Sequence, residues 1–209
     1  MSFALPPILV SFATPALVLL LLFHALARRL RWQPLGWGWF LGLAALALGV
    51  LMFPVQGLPL ARWLAGVVDH WSIPLLALLA TAVAQKFLGI ELLRRADQQA
   101  AWVFGAVAGV ALYPLALGLG PFDPYSLGWH FGPLFAVAGM VAVILHWRRN
   151  RFGIVLLLAV AAWASRLPES GNYWDCLLDP VYFFASLGVL AAQIHRPASS
   201  PNPDGQSSR

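Results

Sequence analysis

SRLPESGNYWDCLLDP, residues 165–180, sets one glutamate, one asparagine and two aspartates between two strongly apolar runs. How this stretch continues decides the fold. If a helix opens at Trp174 and runs to Ile194, its 21 residues reach about 31 Å at 1.5 Å each, enough for a hydrocarbon core of about 30 Å. If Asp179 is instead an N-cap with Pro180 at the first helical position, only fifteen residues remain, or about 22 Å. The length favours the first reading, a helix kinked at Pro180. Asp175 then lies near its mouth, and Asp179 lies one turn deeper on the same face.

Composition supports a lipid-facing chain. Of 209 residues, 60% are hydrophobic and 10% charged, with 18 glycines and 16 prolines; mean hydropathy is +0.76. A soluble domain carries about a quarter charged residues. The formal charge of +5 does not indicate nucleic acid, because the basic residues form short clusters between apolar runs, the pattern of topology signals and lipid contacts. The single cysteine, Cys176, excludes an internal disulfide and a thiolate metal cluster.

Apolar runs fall at 8–27, 37–55, 71–88, 100–119, 130–147, 152–165 and 174–194. They predict an all-α, polytopic transmembrane bundle of about seven spans over 1–195, followed by a disordered cytoplasmic tail at 196–209 rich in Ser, Pro and Asn. With the N-terminus outside, Arg28, Arg29, Arg31, Lys86, Arg94, Arg95, Arg148, Arg149, Arg151 and Arg196 gather on one side, leaving only Arg62 and Arg166 opposite. This is a positive-inside bias and puts the C-terminus in the cytoplasm, as in a multi-pass inner-membrane protein. Asp69, Asp123, Glu169, Asp175 and Asp179 collect on the extracytoplasmic side. Gly105 and Gly109 form a GxxxG pair, which permits close helix contact.

Carboxylates near hydrocarbon are expensive unless protonated, paired or coordinated. The acid-rich face is therefore the expected site. Asp175, Asp179 and Glu169 are its catalytic candidates for acid–base work, and Asn172, Arg166 and Asp123 are candidates for substrate binding. His70, His130 and Asp69 offer imidazole and oxygen ligands that would suit a divalent metal. His24 and His146 near the basic side and His70 and His130 near the acidic side show no spacing that singles out haem, and Lys86, the only lysine, sits too near a helix end for a buried Schiff base. An isolated Cys176 without a neighbouring histidine makes a poor nucleophile.

Three functions follow as expectations: an enzyme acting at the outer leaflet on a lipid or lipid-linked substrate, an accessory subunit or assembly factor of a larger membrane complex, and a small proton- or cation-coupled transporter. The expected partners are membrane lipid and a membrane protein, not nucleic acid.

Overall fold

A computed structural model describes residues 5–31, 36–67, 70–167 and 170–195. The described residues are almost entirely helical: α1 (Leu5–Arg29), α2 (Gly36–Met52), α3 (Leu60–Val67), α4 (Ile73–Val83), α5 (Arg95–Ala116), α6 (Pro133–Trp147), α7 (Phe152–Ala164), α8 (Tyr173–Leu177) and α9 (Pro180–Ile194). A two-residue hairpin pairs Pro54–Val55 with Leu58–Pro59 in antiparallel register. α4 ends in a π-helical turn, Ala84–Leu88, and a 3-10 turn covers Pro124–Gly128.

Helix starts are written locally. Ser72, Asp123 and Asp179 each cap a helix or 3-10 turn with a side-chain oxygen, and each is followed within two residues by a proline in the first turn. Proline costs little there because that amide hydrogen has no partner inside the helix. Pro114 sits inside α5 without ending it. α1, α6 and α7 end differently, each passing into an arginine of left-handed backbone: Arg31 (φ 58°), Arg149 (φ 53°) and Arg166 (φ 52°).

Two cores result. Leu20, Leu43 and Val83 join α1, α2 and the end of α4. A larger core around Leu78, Leu112, Phe135, Phe152, Leu156 and Tyr182 joins α4 to α9, so α4 contributes to both. α5 meets α9 across Gly105 and Gly109. A Cβ at Gly105 would strike Ser186 Oγ and come within 2.7 Å of Tyr182 Cζ, and one at Gly109 would overlap the Phe183 ring. Gly109→Ala is therefore expected to lower stability by about 1–3 kcal/mol, read by thermal or denaturant unfolding. An unchanged midpoint would mean that Phe183 can swing aside freely.

The seven-span expectation is corrected by helix length. Among the described residues only 12–29, within α1, and α5 are long and apolar enough to cross a membrane, and they qualify by length and composition alone. The other apolar helices have between 10 and 17 residues, or about 15–26 Å. The runs read from the sequence counted apolar residues that the chain uses in turns: 130–132 precede α6, 71–72 precede α4 and 117–119 follow α5. The stretch 174–194 is broken. α8 ends at Leu177, and Leu178 (φ −148°, ψ 135°) and Asp179 (φ −128°, ψ 161°) are extended before α9 begins. Without seven spans, the N-outside and C-cytoplasmic topology, the multi-pass inner-membrane placement and the extracytoplasmic location of the acids lose their basis. The lipid-directed membrane enzyme, the membrane-complex subunit and the transporter presupposed that arrangement and fall with it. The expected tail at 196–209 lies outside the described residues.

Candidate functional site: a carboxylate-lined cavity beside α8

The break between α8 and α9 builds a cavity. It encloses about 540 Å³ and is lined by His70, Leu112, Tyr113, Ala116, Tyr125, Ser170, Asp175, Leu178, Asp179 and Pro180. The volume is in the usual range for small-molecule sites. The wall is contributed by the ends of α5, α8 and α9 together with the turns before α4 and after α5.

Asp175 is its half-buried carboxylate. The Tyr125 hydroxyl donates to both of its oxygens, at 3.2 and 3.0 Å, and the Ser170 hydroxyl donates to Oδ2. Burial foremost, and then the neighbouring Asp175 charge, push the Tyr125 phenol up to about 12. At neutral pH it therefore remains a donor to the carboxylate.

The loops that present these groups are laced together. Asn172, fully buried, caps α8 by accepting from the Trp174 amide at 2.9 Å and donates Nδ2 to the Tyr125 carbonyl at 2.9 Å. Trp174 Nε1 donates to the Pro124 carbonyl at 2.8 Å. Gly128 is required at this contact, since a Cβ there would overlap the Asn172 amide. The amide of Asn172 in turn donates to Ser170 Oγ at 3.0 Å.

Asp179 lines the same cavity but is almost wholly committed to structure. It is 2% exposed. Oδ2 accepts from the Ser72 amide at 2.9 Å and the Ser72 hydroxyl at 2.6 Å, while Oδ1 accepts from the Tyr182 amide at 2.8 Å. Burial raises its pKa above the ordinary aspartate value, against the pull of these donors. One carboxylate thus caps α9 and ties it to the start of α4.

The structure brings Asp175, Asp179 and His70 to one cavity. Asp123 does not line it; its Oδ1 accepts from the Tyr125 amide at 2.9 Å and caps the 3-10 turn. His130 and Arg166 are exposed and outside the cavity lining. Asp69 and Glu169 lie outside the described residues. Among the described residues no group of three or more His, Cys, Asp or Glu side chains could hold a metal ion, and His130 does not line the cavity that His70 lines. Cys176 is fully buried, and burial pushes its thiol up to about 12, which withholds the thiolate.

Sequence reasoning missed Tyr113, Tyr125 and Ser72. Tyr125 stands in the turn-rich stretch GPFDPYSLGWHFGP (120–133), but its pairing with Asp175 spans fifty residues and has no local signature. No protein-family model matches this chain, nor does any curated protein or solved structure.

Proposed function

We propose that the cavity binds a small organic cation, such as an amine, with Asp175 as its counter-ion. One observation carries this reading. Asp175 is a partly buried carboxylate held in place by two hydroxyl donors, and among the described residues no Lys or Arg lines the cavity. A carboxylate removed from water gains most from an incoming positive charge. Tyr113 and Tyr125 add aromatic faces that suit a cation.

The acid–base role expected of Asp175 and Asp179 becomes, in this reading, an anchoring role for Asp175 and a positioning role for Asp179. Ser170 and Tyr125 orient the anchor, which lowers the ordering cost of binding. Asn172 serves the site indirectly by holding Tyr125 and α8 together.

Calorimetric titration with a panel of primary and quaternary amines, their neutral isosteres and matched carboxylates tests the proposal. Amines should bind and neutral isosteres should not. Asp175→Asn should weaken amine binding by about 10- to 150-fold, the worth of a charged hydrogen bond of about 1.5–3 kcal/mol. Tyr125→Phe should weaken it less. Equal affinity for amine and neutral isostere, or unchanged binding by Asp175→Asn, refutes the reading.

A further inference from the structure

A second cavity, on the other side of α8, has the opposite character. It encloses about 460 Å³ between α5, α6 and the start of α7. Its walls are apolar: Val103, Phe104 and Val107 from α5, Val137 and Val141 from α6, and Phe152 from α7, with Trp174 and Leu177 of α8 closing one end. The lining runs from Ala100 to Ala111 on α5 and from Leu134 to Leu145 on α6, about 16 Å in each case. Val107 and Val137 are 66% and 53% exposed, so the groove is open at its middle. A contiguous open apolar surface of this kind marks a binding site.

Its two ends differ in charge. The turn between α6 and α7 packs onto the first turn of α5: Asn150 Nδ2 donates to the Ala96 carbonyl at 3.2 Å, and the Arg151 amide donates to Asp97 Oδ1 at 3.0 Å. This brings the exposed Arg94, Arg95 and Arg148 near the end bounded by Ala100 and Leu145, while Arg151 donates its guanidinium to the Glu91 and Leu92 carbonyls and lines, with Arg149, a separate cavity. The only acids on these segments are Glu91 and Asp97. Asp97 is buried, with both oxygens already accepting backbone amides. Arg148 is the C-cap of α6, three residues after Leu145. The arginines stand beyond the rim, since the lining itself carries no charge among the described residues, and at the opposite end stand Trp174, Leu177 and Leu134.

We infer that this groove seats the alkyl chain of a single-chain anionic amphiphile, with its head at the arginine end and its tail toward α8. Wall length and charge together specify the occupant. Apolar walls some 16 Å long match one extended hydrocarbon chain, and the exposed guanidinium groups of Arg94, Arg95 and Arg148 beyond its end favour a negative head over a neutral or positive one. The site is distinct from the cation cavity, which shares no lining residue with it.

The test uses the full chain and a series of alkyl carboxylates of 8, 10, 12 and 14 carbons. Displacement of a polarity-sensitive fluorophore is followed below each micellar concentration. Affinity should rise about tenfold for every two methylenes added. The matched alkylammonium series, run in the Asp175→Asn chain so that the other cavity does not contribute, should bind at least tenfold more weakly. Val107→Trp fills the groove and should abolish the chain-length dependence; Val137→Trp makes the same test from the facing helix if the first variant unfolds, as judged by circular dichroism. Arg148→Gln should narrow the difference between carboxylate and ammonium. Equal affinity for the two heads, a flat chain-length series, or full binding by a folded Trp variant overturns the proposal. So does a stable dimer of the chain whose formation alkyl carboxylate does not inhibit, which would make a second copy the occupant.

Discussion

Asp179→Ala is expected to lower the free energy of unfolding by about 3–5 kcal/mol. The side chain is buried, and three donors converge on it: the Ser72 amide, the Ser72 hydroxyl and the Tyr182 amide. Losing an N-cap alone costs about 1 kcal/mol. Each buried donor left without an acceptor adds about 1–3 kcal/mol, and Ser72 is itself the cap of α4. Two helices therefore lose their anchor at once. Asp179→Asn supplies one acceptor oxygen where the carboxylate supplies two, so it should cost about 1–3 kcal/mol, although asparagine is ordinarily as good a cap as aspartate.

The same residue gives the fold a pH dependence. Its folded pKa lies above the ordinary value of 3.8, so between these two values the folded chain binds more protons than the unfolded one. Stability from this group is then greatest at acid pH and declines as pH rises from about 3.8 through the raised value. Unfolding midpoints measured against pH for the wild type and Asp179→Asn should differ by this slope. A parallel pair of curves would mean that the carboxyl has the same pKa in the folded and unfolded chain.

Asn172→Ala should cost about 2–4 kcal/mol and take amine binding with it. It strips the cap from α8 and leaves the Tyr125 carbonyl without its donor, so the turn that presents the Tyr125 hydroxyl to Asp175 loses its tether. Gly128→Ala should also destabilise, by about 1–3 kcal/mol, because its Cβ enters the space of the Asn172 amide. In the double variant the amide that the methyl would strike is gone. It should therefore be more stable than the sum of the single effects predicts, by at least about 1 kcal/mol. Additive effects in denaturant unfolding would show that the two loops do not share this contact.

How much of this was legible in the sequence depends on the range of the interaction. Helix positions follow the apolar runs closely. Pro74, Pro124 and Pro180 mark starts where Ser72, Asp123 and Asp179 provide caps, all within a few residues along the chain. The grouping of Asp175 with Ser170 and Asn172 was also local. Helix length was not readable from hydropathy, because leucine and tryptophan score alike in a helix and in the turn that ends it. The choice at Pro180 shows the consequence. A length argument favoured one long helix, but the bonds that settle the matter come from Ser72, 107 positions away. Tyr113 and Tyr125 were invisible as site residues for the same reason.

The three left-handed arginines at helix ends link backbone conformation to electrostatics in a way that bears on engineering this chain. At Arg31, Arg149 and Arg166 the backbone adopts the geometry that glycine enters without cost, and a side chain there carries strain of about 1–2 kcal/mol. A positive group beside the last turn returns about 0.3–1 kcal/mol through the helix dipole. Glycine at all three would relax the turns and at the same time reduce the formal charge of +5 by three. Thermostability and basicity therefore pull against each other at the same three positions, and a variant selected for the first would drift from the second.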